Sequence, residues 1–181
     1  GMSVHKLMDF IREFRTTHDT AIVLFTYLNP VYAYGYEQFH ADAAAAGADG
    51  ILLLDLPPDE IANNKELTSA KGLRHITLVS PSTPLKRKQM LAAQSEGFIY
   101  AVSRMGVTGS QQAPSAGIGE LVASIKACTD TPVCVGFGIS SSAISTMFSL
   151  GGSLAERHDI ERSRFNAYMR ATTSTAWMIG P

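Results

Sequence analysis

The feature that most constrains this chain is an alternation. Short, uninterrupted apolar runs are separated by segments with helical spacing, and the pattern repeats along most of the length. The runs are Ala21–Tyr27, Gly50–Leu54, His75–Val79, Gly97–Val102 and Pro132–Phe137. Each is rich in β-branched and aromatic residues and lacks the polar alternation of a half-solvated strand, so each reads as a strand covered on both faces. Between them lie helix patterns. Ser3 precedes a stripe of Val4, Leu7, Met8, Ile11 and Phe14, an N-cap before a helix of about four turns. Tyr36–Ala46 is an alanine-rich helix closed by Gly47. Asp59 can cap a helix toward Lys71, stopped by Gly72, and Leu85–Ser95 is helical in character. Ile118, Leu121, Val122 and Ile125 form another stripe, and a further helix starts after Ser140. Asn29-Pro30 reads as the end of the first strand.

Strands joined through helices call for a parallel α/β sheet. The repeat of roughly 28 residues fits successive units of a (β/α)8 barrel. A doubly wound open sheet gives the same alternation, but no Gly-x-Gly-x-x-Gly follows the first strand. The expected class is therefore α/β, a partial (β/α)8 TIM barrel of about five parallel βα units. Residues 1–150 form the incomplete barrel. Residues 151–181 have no strand-like run and form a divergent C-terminal tail, in which Ser153 and Glu156 can make a capping box for one helix through Met169. An altered or foreign end, as from a reading-frame slip, would explain the change. Gly1-Met2 fits either a tag scar or a start within a longer protein.

Composition narrows the function. A formal charge of −1, with 17% charged residues, gives no electrostatic footprint for nucleic acid or a membrane surface. No apolar stretch is long enough to span a bilayer. Cys128 and Cys134 make no disulfide framework, so the expected location is cytoplasmic. The five histidines follow no metal-ligand spacing, and no metal site is expected.

In a β/α barrel, chemistry sits at the carboxyl ends of the strands. The polar residues there are Tyr27 and Asn29, Asp55, Ser80, Tyr100, Ser103 and Arg104 with the loop to Gly109, and Gly136, Gly138 and Ser140. Gly136-Phe137-Gly138-Ile139-Ser140 can turn tightly and offer backbone N–H groups to an anion, or can be a plain glycine-rich turn. Arg104, Thr108 and Gly109 open the longest loop, either a binding segment or a solvated one. Asp55 can anchor substrate or cap its own loop. Tyr100 can be a site residue or can simply fill the barrel.

Taken together, Phe25-Thr26-Tyr27-Leu28-Asn29-Pro30-Val31, Leu54-Asp55-Leu56-Pro57, Tyr100 through Gly109 and Gly136 through Ser140 resemble the tryptophan synthase α subunit in order and spacing. The Ser-Arg-x-Gly-Val-Thr-Gly and Gly-Phe-Gly-Ile-Ser pieces are the specific ones. The resemblance implies a lyase of tryptophan biosynthesis, cleaving indole-3-glycerol phosphate by a retro-aldol step to indole and glyceraldehyde 3-phosphate. It implies no cofactor in this chain, a β-subunit partner carrying pyridoxal phosphate, and an α2β2 assembly. By motif, Tyr100 would orient the reacting unit. Arg104, Thr108 and Gly109 would lie on the closing loop, with Gly109 also near phosphate, and Phe137 and Gly138 would meet the phosphate. Tyr27, Asn29 and Asp55 would face the β subunit. The family's two catalytic carboxylates, on its first two βα units, have no matching position in this sequence. The chain is therefore expected to be an inactive fragment with exposed strand edges that promote association. Two alternatives remain: a non-catalytic partner of a β subunit, or another phosphate-binding barrel enzyme.

Overall fold

In the computed structural model the described residues are 3–19, 21–102 and 117–136. They fall into two compact units that divide between Ile76 and Thr77.

The first unit runs α1 (Val4–Arg15), β1 (Val23–Thr26), α2 (Leu28–Tyr34), α3 (Tyr36–Ala46), β2 (Gly50–Leu53), a 3-10 turn over Pro58–Glu60, α4 (Ile61–Ala70) and β3 (Arg74–His75). Its strands are parallel and in chain order, with Val23 beside Gly50 and Gly50 beside Arg74. Chain order without reversal is how a barrel is laid down. A doubly wound sheet would show a switch in strand order. The core joins Met8 and Ile11 of α1, Leu24 of β1, Val31 of α2, Phe39 and Ala43 of α3, and Ile51 of β2. Burying each of the larger side chains contributes roughly 1.5–3 kcal/mol.

Capping fixes where these helices begin and end. The Ser3 hydroxyl accepts the Lys6 N–H at 3.3 Å at the start of α1. Gly47, at φ 100°, closes α3 in the left-handed conformation. Its carbonyl accepts a hydrogen bond from Arg15 Nε at 2.7 Å. Arg15 also pairs with Asp49, whose carboxylate accepts the Ile22 N–H at 2.7 Å. One arginine thus ties the end of α1 to the end of α3 and the entry of β1, at the amino ends of the strands.

The second unit runs β4 (Thr77–Val79), α5 (Leu85–Gln94), β5 (Ile99–Val102), α6 (Ile118–Lys126) and β6 (Val133–Gly136), again parallel and in chain order. The Ser95 hydroxyl donates to the Phe98 carbonyl at 2.7 Å and accepts the Thr77 N–H at 3.2 Å, closing the turn from α5 into β5. Lys88 Nζ donates to Ser124 Oγ at 3.0 Å and links α5 to α6.

The structure departs from the sequence reading in four places. The strand expected over His75–Val79 is divided at Ile76: its first part pairs with β2 and its second with β5. β1 ends before Asn29-Pro30 as expected, but the dipeptide lies in the first turn of α2, a helix the sequence reading did not place and where a proline's missing N–H costs nothing. Asp59 sits inside the 3-10 turn, and the cap of α4 is Glu60, without a side-chain bond. Full burial holds for β2, whereas β1 and β6 are mostly half-buried. Among the described residues β1 pairs only with β2 and β6 only with β5, which leaves the outer strands less covered. The tail boundary at residue 151 and the Ser153–Met169 helix lie outside the described residues.

Candidate functional site

At the carboxyl ends of β1 and β2 the chain brings together three expected residues. Tyr27 caps the start of α2 and is 52% exposed, and Asn29 follows in the first turn. Asp55, just past β2, accepts the Leu28 N–H at 2.7 Å. A helix's first N–H groups have no partner inside the helix, and a carboxylate there also meets the positive end of its dipole. Asp55 therefore caps the neighbouring βα unit rather than its own loop, and fixes how Tyr27 and Asn29 are presented. Tyr32, further along α2, is 56% exposed and stacks on Tyr36 with ring centroids 5.1 Å apart.

Two other aspartates of the first unit are also held, away from this group. Asp42 accepts the Tyr34 hydroxyl at 2.6 Å and Gln38 Nε2 at 2.9 Å. The Tyr34 bond, then the Gln38 bond, keep its carboxyl below the usual carboxylate range. Asp49 is engaged by Arg15 and Ile22.

In the second unit Ser80 follows β4 and Gly136 ends β6, while Tyr100 is the second residue of β5. Ser80 N–H donates to Thr83 Oγ1 at 3.0 Å, forming a hydroxyl cluster with Ser82. Tyr100 is buried at 5% exposure and pairs in register with Cys134. Its ring reaches over Gly136: a Cβ at that position would overlap the Tyr100 hydroxyl and ring. This close approach, not backbone torsion, requires glycine at 136. Burial, and then the Cys134 thiol beside it, push the Tyr100 phenol up to about 12. Burial alone pushes the Cys134 thiol up to about 11. At neutral pH both groups keep their protons. Tyr100 can hold or orient a ligand there, and it is poorly suited to carry protons.

Arg104, Thr108, Gly109, Phe137 and Gly138, together with Ser103 and Ser140, lie outside the described residues. A polar network that the sequence reading did not find occupies the first unit. His40 of α3, Asn64 of α4 and His75 of β3 are all buried and joined in a row. Among the described residues no three His, Cys, Asp or Glu side chains gather as a metal cluster. No described helix is long and apolar enough to cross a membrane.

Comparison with known proteins identifies the frame that carries these strand ends. Residues 1–153 match the family model of the tryptophan synthase alpha chain. The chain belongs to that family. It is 46% identical over 141 residues to the tryptophan synthase alpha chain of Desulfatibacillum aliphaticivorans, covering 78% of this chain and 53% of the relative. The alpha chain of Geobacter sulfurreducens is 43% identical over the same length and coverage. The fold is similar to a chain of the tryptophan synthase α2β2 complex of Pyrococcus furiosus, with a TM-score of 0.77 and 33% identity, over 83% of this chain and 61% of that one. Membership makes the parallel βα units part of a TIM barrel. The chain spans about half the length of the curated relatives it matches.

Proposed function

We propose that this chain serves the α-type lyase reaction of tryptophan biosynthesis, the retro-aldol cleavage of indole-3-glycerol phosphate to indole and glyceraldehyde 3-phosphate. The observation that carries the reading is the Tyr100 phenol, which rises from within β5 to stand over Gly136 at the carboxyl end of β6, within a chain of this family. In this reading Tyr100 orients the indole-glycerol unit as a neutral phenol. Arg104, Thr108 and Gly109 close over the substrate, and Phe137 and Gly138 meet its phosphate. The chain takes no cofactor of its own.

The reaction needs an acid at indole C3 and a base at the glycerol hydroxyl. Asp42, Asp49 and Asp55 are each engaged in structural bonds and supply neither role. On this reading the chain by itself does not turn the substrate over.

A second reading is favoured by the exposed group of Tyr27, Asn29 and Asp55: docking of a tryptophan synthase β subunit, the carrier of pyridoxal phosphate. The relative solved from Pyrococcus furiosus belongs to an α2β2 complex. The test mixes the full chain with a β subunit and follows co-elution and indole release from indole-3-glycerol phosphate. Co-elution without indole is expected. Turnover of a different sugar phosphate, with indole-glycerol phosphate untouched, would assign the chain to another phosphate-binding barrel activity.

A further inference from the structure

His40 Nδ1 lies 2.7 Å from the Tyr36 carbonyl, and His40 Nε2 lies 3.0 Å from the Asn64 side-chain amide. The other end of that amide lies 2.8 Å from His75 Nδ1. The Tyr36 hydroxyl also meets the amide, on the His40 side. His40 and Asn64 are 0% exposed and His75 is 2% exposed, so water does not supply alternative partners freely.

The two ends of an amide are alike in shape and opposite in hydrogen bonding. The same heavy-atom positions therefore support two arrangements. With the amide oxygen toward His40, both His40 nitrogens face acceptors and must both carry protons, so the ring is an imidazolium. The amide NH2 then donates to His75 Nδ1, and the His75 proton sits on Nε2. With the amide turned over, its NH2 donates to His40 Nε2 and to the Tyr36 oxygen, and the Tyr36 hydroxyl proton must turn away from the amide. His40 is then neutral with its proton on Nδ1, and His75 donates from Nδ1 to the amide oxygen.

We propose that His40, Asn64 and His75 form a two-state relay: protonating His40 turns the Asn64 amide over and moves the His75 proton to its other ring nitrogen. The relay couples α3, α4 and β3, because each contributes one member. The titratable groups that face His40 are Tyr36, from its own helix, and His75, beyond Asn64. Glu60, ahead of α4, and Tyr32 act on the Tyr36 phenol, which burial first of all pushes up to about 12. The structure records the amide with Oδ1 toward His40; burial, against smaller upward pulls from the Tyr36 carbonyl and Asn64, holds His40 below 6.5 and so favours the neutral arrangement near pH 7.

The test is a ring-nitrogen NMR titration of the full chain labelled at histidine. At about pH 8, both His40 and His75 are expected as Nδ1–H tautomers. On acidification below pH 6.5, His40 gains a proton on Nε2, and the protonated and bare nitrogen signals of His75 exchange in the same step. His75 found as the Nε2–H tautomer at about pH 8, or unchanged while His40 titrates, would overturn the relay. Asn64→Asp supplies acceptors on both sides. It is expected to raise the His40 titration and hold His75 as Nδ1–H throughout. If that variant does not fold, the wild-type tautomers at about pH 8 still decide the matter.

Discussion

Each unit holds one tyrosine phenol whose titration is pushed to about 12, chiefly by burial, yet Tyr36 is half-buried, Tyr100 is buried, and the two rings stand in opposite settings. Tyr36 is enclosed by the chain's own polar groups, with its hydroxyl on Asn64 and the His40 ring 4.8 Å away. Tyr100, from within β5, lies over Gly136, the last residue of β6. The same burial produces a structural group in one place and a candidate binding group in the other. What separates them is the neighbour: an amide that completes a hydrogen-bond set, or a missing side chain whose room the ring itself fills.

The sharpest way to break the comparison is Asn64→Leu. It strips partners from His40, His75 and Tyr36 together, at about 1–3 kcal/mol for each buried group left unsatisfied. Chemical denaturation should show the first unit losing about 3 kcal/mol or more. Gly136→Ala comes next, because the new Cβ displaces the Tyr100 ring. A loss of about 1–3 kcal/mol is expected, together with altered Tyr100 signals and little change at His40. Asp55→Ala removes only the cap on α2. A cost of about 0.5–1 kcal/mol is expected, seen as faster amide exchange in the first turn of that helix.

The pH dependence separates the units further. His40 has a lowered folded-state value, so its contribution is complete above 6.5 and declines as pH falls. Acid should loosen the first unit's amides before those of the second. The two tyrosines have raised values, so their contribution is complete below 10 and lost as pH rises through about 12 in both units.

Much of this was legible from residue order. The alanine-rich segment and Gly47 gave α3 with its observed ends, because a left-handed glycine cap is a local property. The centres of the strands were equally clear from their apolar runs. Asn29-Pro30 marked the end of the strand but hid α2, since the same dipeptide can close a strand and open a helix. The division at Ile76 was hidden because pairing partners leave no mark on a continuous β-branched run. Tyr100 was singled out by motif, but its fit over Gly136 depends on the register of β5 against β6. The His40–Asn64–His75 row could not be read at all. Its members are separated by 24 and 11 residues, each is common in its own element, and only folding places one amide between two imidazoles.

The most direct measurement is amide and tyrosine-ring NMR of the full chain titrated with indole-3-glycerol phosphate. The account predicts saturable shifts at Tyr100, Val102 and Gly136, a weakened response in Gly136→Ala, and silence at Tyr36, His40 and Asn64. Shifts centred on the Asn64 network, with Tyr100 and Gly136 unmoved, would contradict it.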